Sequence, residues 1–188
     1  MSQTSHGTLN KIAEVTVLFW IIKIISTTLG EMSGDMLSQT LNLGYVAGLA
    51  ITGAYLVGIL FFQIRADHYR PALFWAAIVG TTMVGTEISD MLDRTFGLGY
   101  VWGSVVLFVG LLGTLAVWYK RSGNLSVDPI VGRKAEITFW IAVLFSNSLG
   151  TAFGDYLVDV VGLGYMQGAM VTVRHWCRAC FALHPRPE

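Results

Sequence analysis

Six ionisable residues stand inside or directly against long apolar runs: Lys23, Glu31, Asp35, Glu87, Asp90 and Asp155. Glu31 and Asp35 are four apart and Glu87 and Asp90 three apart, so each pair shares a helix face. Asp155 has no glutamate beside it; Thr151 and Ala152 take that place, with Asn147 and Ser148 a turn or two earlier. Carboxylates gathered in an apolar bundle mark ion pathways and proton relays, and hard cations prefer such oxygen ligands. A structural reading competes. About 20–24 residues of helix at 1.5 Å each carry the three aspartates roughly 30–36 Å, to the far membrane interface. There an aspartate serves equally well as an elbow or N-cap residue. Lys23 lies eight residues before Glu31. It either pairs with an acid on a neighbouring helix or extends its stem to the near interface.

Other chemistry finds little support. The sequence holds no Ser-His-Asp arrangement, His-Glu-x-x-His pair, phosphate-binding loop or dinucleotide fingerprint. The reading is therefore of a non-enzyme without cofactor or resident metal. His175, Cys177, Cys180 and His184 have zinc-like spacing, but as one short cluster they read as an unselected tail.

The elements that position the acids follow from composition. The 188-residue chain is 54% hydrophobic and 13% charged, about half the charge of a soluble domain, with mean hydropathy +0.60. Val15–Leu29, Val46–Phe62, Ala72–Val84 and Val101–Trp118 carry at most one ionisable residue each. Runs near ~20 apolar residues read as membrane-spanning helices. The fold class is all-α, a polytopic integral membrane helical bundle. Net charge is zero, so nucleic acid is excluded as a partner; the lipid bilayer is the evident one, with a small solute or cation and a homo-oligomer as further possibilities. The polar start MSQTSHGTLN reads as a tail rather than a cleavable leader.

The chain repeats. Trp20, Trp75 and Trp140 are each followed ten residues later by Gly30, Gly85 or Gly150, and fifteen later by Asp35, Asp90 or Asp155. Then come Leu43-Gly44-Tyr45, Leu98-Gly99-Tyr100 and Leu163-Gly164-Tyr165, and after four more residues Gly48, Gly103 and Gly168. Each repeat holds one helix ending near the aspartate and a second starting at Leu-Gly-Tyr. Helices are expected over 12–33, 43–64, 71–90, 98–119 and 135–154, with a sixth begun at 163. Asp93, Asp159 and Arg94 then fall in elbow loops. Two spans per repeat make successive repeats parallel, so that matched acids converge about an axis along the membrane normal. The pairs Gly44/Gly48, Gly99/Gly103 and Gly164/Gly168 have the spacing of close helix packing. The tryptophans read as belt anchors at the near interface, and Tyr45, Tyr100 and Tyr165 as belt residues at the far one.

These positions give a tail (1–11), repeat 1 (12–67), repeat 2 (68–122), a linker containing SGNLSVDP (123–133), repeat 3 with an incomplete second span (134–173) and an aberrant tail (174–188). Lys11, Arg65, Arg70, Lys120, Arg121, Arg133 and Lys134 lie before or between repeats. The positive-inside rule makes that side, and the N-terminus, cytoplasmic in a multi-pass plasma (inner) membrane protein.

The three Trp-Gly-Asp-Leu-Gly-Tyr frames resemble a bacterial family of uncharacterised membrane-anchored proteins, described as four tandem repeats of two transmembrane segments with a characteristic tryptophan. The resemblance covers about residues 10–170 and implies the fold and no settled activity. This chain departs from it by holding two and a half repeats. Arg174, His175 and Arg178 then replace the apolar second half of the last span. A central arginine costs roughly 2.5–3.5 kcal/mol on insertion, so the sequence suggests a frameshifted or truncated product. The leading functional expectation is a transporter- or channel-like protein for a small solute or cation. The alternatives are a structural or interaction protein without transport activity, and an inactive truncated product.

Overall fold

The computed structural model describes residues 13–123, 125, 132–164 and 166–174. Tyr165, most of the linker and the segment with His175, Cys177, Cys180 and His184 lie outside the described residues. Among the described residues, five helices are long and apolar enough to cross a membrane. The chain is all-helical, and no strand occurs among the described residues. Helix α1 is Val17–Asp35, α2 Gly44–Arg65, α3 Pro71–Asp90, α4 Gly99–Ser122 and α5 Arg133–Asp155.

Local chemistry sets most of the ends. The Phe19 N–H donates to Thr16 Oγ1 at 3.2 Å, so Thr16 caps α1. Proline opens α3 at its first turn, where its missing N–H costs nothing. Gly123 closes α4 at φ +73°, its N–H donating to Tyr119 O at 2.8 Å.

The odd helices do not end at their aspartates. Each passes through its aspartate in right-handed helical geometry and continues as a five-residue π-helical segment: Met36–Thr40, Met91–Thr95 and Tyr156–Val160. Each segment closes with the same bond, five residues back. Leu41 N–H donates to Met36 O at 2.8 Å, Phe96 N–H to Met91 O at 2.9 Å, and Val161 N–H to Tyr156 O at 3.1 Å. None of the three aspartate side chains caps the segment that follows it. The elbow reading of the aspartates is thereby corrected, and Asp93, Arg94 and Asp159 lie in helix rather than loop. The true elbows fall later, at Asn42, Gly97 and Gly162, with φ +53°, +67° and +74°. Asparagine and glycine are the residues that take this left-handed turn at least cost.

The chain divides into two compact units, Met1–Ala152 and Phe153–Glu188. In the first, α3 is the most enclosed span. A Cβ on Gly30 of α1 would lie 2.7 Å from Val79 O of α3, and one on Gly85 of α3 would lie 2.9 Å from Ser148 N of α5. Gly80 receives the ring of Tyr55 and the side chain of Leu56 from α2. Glycine at these contacts lets helices approach closely, which is how apolar helices gain packing energy inside lipid.

An aromatic ladder runs across the same unit. Phe19 packs on Trp75 (centroids 5.4 Å apart), Phe74 on Trp140 (5.7 Å) and Trp118 on Phe139 (6.2 Å). In each of the first two contacts a phenylalanine of one repeat meets the tryptophan of the next. Trp140 is buried in a core cluster with Phe74, Ala77 and Ile78. The belt reading of Trp75 and Trp140 gives way to packing between repeats, whereas Trp20 is 45% exposed.

The second unit holds the end of α5, its π segment and helical residues 166–174. There Phe153 stacks on Tyr156 at 6.5 Å. Leu163 N–H donates back to Leu157 O at 3.0 Å.

Candidate functional site

Two polar layers cross the apolar interior of the first unit. The inner one is built on Asn147 of α5. Its Nδ2 donates to Thr81 Oγ1 at 3.1 Å and Thr82 Oγ1 at 3.0 Å, and its Oδ1 accepts from Lys23 Nζ at 3.3 Å. Lys23 is thus held by an amide of another helix, not by an acid. About a turn further along α3, Thr86 and Thr151 share a hydrogen bond of 3.4 Å.

The outer layer lies at the π segments. Gln39 Nε2 donates to Asp35 Oδ1 at 2.9 Å and to Asp90 Oδ2 at 3.1 Å, tying the aspartates of repeats 1 and 2 together. Arg94 donates to Gln39 Oε1 at 3.5 Å and to Tyr45 O–H at 3.3 Å. Tyr45 is therefore part of this network rather than a belt residue alone. The π geometry matters here because one extra residue per turn re-aims the side chains that follow, and such segments are frequent at functional sites.

Between the layers sits Glu87. It is fully buried, and neither carboxylate oxygen has a hydrogen-bond partner of ordinary geometry. The Ser38 hydroxyl faces it but donates to Gly34 O at 3.1 Å. Gly48 of α2 lies against the carboxylate, where a Cβ would fall 2.6 Å from Oε1. Asp93 repeats the arrangement. It is buried, its oxygens are unpartnered, and its Oδ1 lies against Gly103 of α4.

The glycine pairs therefore divide by role. Gly44 and Gly99 take φ +76° and +71° with nothing within 4 Å of a Cβ, so their part is conformational. Gly48 and Gly103 make room for carboxylates rather than for a helix backbone. In the second unit a Cβ on Gly164 or Gly168 would lie about 4 Å from its nearest neighbour, which is ordinary contact.

Among the sequence candidates, Glu87 and Asp90 are buried, Asp35 and Lys23 half-buried, and Glu31 exposed on α1. Glu31 and Glu87 do not share a repeat position. Glu31 stands eleven residues after its tryptophan, with Thr86 and Thr151, whereas Glu87 stands twelve after, with Met32 and Ala152. Asp155 occupies the helix-to-π junction of the second unit. Sequence reasoning missed Gln39, Arg94, Asp93 and the anchoring role of Asn147. One signal was available: Gln39, Arg94 and Asp159 stand at the same offset after Trp20, Trp75 and Trp140. Among the described residues, no group of three or more His, Cys, Asp and Glu is arranged to hold a metal ion.

The model of a family described as Repeat of Unknown Function (DUF347) matches residues 18–69, 73–124 and 138–173. The chain belongs to this family. Each DUF347 match opens two residues before a repeat tryptophan and takes in one π segment, one elbow and the start of an even helix. The polar layers are thus made where DUF347 repeats meet, by Gln39 with Asp90 and by Asn147 with Thr81 and Thr82. No curated protein and no solved structure matches the chain.

Proposed function

We propose that this protein moves protons or a small cation across the cytoplasmic membrane, with Glu87 as the group that carries the charge. The observation behind this reading is a fully buried carboxylate in a membrane-spanning helix with, among the described residues, no cation against it, faced only by the Ser38 hydroxyl and by Gly48. An isolated carboxylate in a low-dielectric interior demands a proton or a cation, and unpaired acids inside bundles mark such pathways. Asn147, Thr81, Thr86, Glu87 and Asp90 supply oxygens and an amide in the interior, with the Lys23 ammonium on Asn147 at one end and the exposed Gln39 on Asp90 at the other. Arg94 offsets the charge of Asp35 and Asp90 at its outer end. The basic residues between repeats support a cytoplasmic N-terminus by the positive-inside rule.

The hydrogen-bonded group Asp35, Gln39, Asp90, Arg94 and Tyr45 also favours a second reading, in which the outer acids only lock helices together. Proton flux into proteoliposomes under an imposed potential separates the two. Transport predicts flux in the wild type that Glu87→Gln abolishes; a lock predicts no flux in either.

A further inference from the structure

We infer that the groove between α4 and α5 is a binding site for an anionic glycerophospholipid. A cavity of about 760 Å³ opens beside Trp118, Arg121, Arg133 and Lys134. A second, of about 530 Å³, shares Arg121, Lys134 and Thr138 with it and continues between Val117, Ile137 and Ile141 to Gly110 and Phe145. The two are one groove with a cationic mouth and an apolar floor. Among the described residues, no carboxylate lines either part.

The floor favours an acyl chain over a polar solute. Its hydroxyls are already used within their own helices: Thr114 Oγ1 donates to Gly110 O at 2.9 Å, and Thr138 Oγ1 to Lys134 O at 2.9 Å. Nothing in the deep wall asks for a hydrogen bond. Gly113 leaves open space there, with no atom within 4 Å of a Cβ. The mouth carries three exposed cations at the ends of two spans, where a lipid phosphate lies. Basic pockets between membrane helices bind anionic head groups, each cation contributing about fivefold in affinity.

The test is native mass spectrometry of the full chain in detergent, offered equal phosphatidylglycerol and phosphatidylcholine, with glycerol 3-phosphate as the phosphate-only probe. The expected result is selective retention of phosphatidylglycerol, about twenty-fivefold reduced in Arg121→Gln/Lys134→Gln. Gly113→Leu, whose Cβ would have no atom within 4 Å and whose side chain extends into the floor, lowers retention as well, and glycerol 3-phosphate does not compete. Equal retention of the two lipids overturns the inference, as does selectivity unchanged by Gly113→Leu. Retention of glycerol 3-phosphate as strong as that of the lipid makes the site one for free anions and overturns it too. If the double variant fails to fold, Gly113→Leu alone decides.

Discussion

Gly48 and Glu87 are matched: the α-carbon of one leaves the space that the carboxylate of the other occupies. A Cβ at Gly48 would stand 2.6 Å from Oε1 and 2.9 Å from Cδ of Glu87. Glu87 is fully enclosed, so its side chain has little room to give way. Gly48→Ala is expected to destabilise the protein by about 1–3 kcal/mol, the usual cost of overpacking. In a double-mutant cycle with Glu87→Ala the alanine at 48 should cost little, giving a coupling of about 1 kcal/mol or more. Denaturation in detergent micelles measures all four corners, and additive effects would show that the two residues do not meet.

The glycines ten residues after each tryptophan look alike in the sequence and differ in the structure. Gly30→Ala and Gly85→Ala press a methyl group onto the backbone of the next odd helix, at 2.7 and 2.9 Å. Gly150 has nothing within 4 Å. Thermal unfolding should therefore show losses of about 1–3 kcal/mol for the first two. Gly150→Ala should instead be neutral or gain up to about 1 kcal/mol from helix propensity.

Asn147 joins three helices through Lys23, Thr81 and Thr82. Hydrogen bonds between membrane helices average about 0.6 kcal/mol and reach about 1.7. Asn147→Ala should cost about 2 kcal/mol in the same assay. Ser146→Ala, at an exposed neighbour, should cost almost nothing.

The aromatic ladder makes a further distinction among the repeat markers. Phe74 is buried against both Trp75 and Trp140, so Phe74→Ala should cost about 3–5 kcal/mol. Trp20 is 45% exposed, and Trp20→Ala should move the unfolding midpoint far less.

The spans and their pairing were legible because Trp20, Trp75 and Trp140 carry a gapless frame, and because an apolar run of about 20 residues has few other uses. The π segments were not. They come from bonds made five residues back, at Leu41, Phe96 and Val161, and no residue type announces such a bond. Without them the aspartates seemed to end their helices, and Arg94 seemed to lie in a loop. The elbow itself was readable from Asn42, Gly97 and Gly162, which share a repeat position and a left-handed φ. Glu31 and Glu87 were grouped by residue type, but one residue of offset turns a side chain by about 100° on a helix. That turn leaves Glu31 exposed and Glu87 enclosed. The link from Lys23 to Asn147 spans 124 residues of sequence, which periodicity within one helix does not reveal.

Proton flux through Glu87 tests the account most directly. Purified protein in potassium-loaded vesicles, with valinomycin setting the potential and an internal pH dye as readout, should pass protons. Glu87→Gln keeps the shape of the side chain and removes its charge, and it should abolish the flux while the unfolding free energy stays within about 1 kcal/mol of wild type. Flux unchanged by Glu87→Gln, or none from the folded wild type with protons or with small cations, would contradict the account.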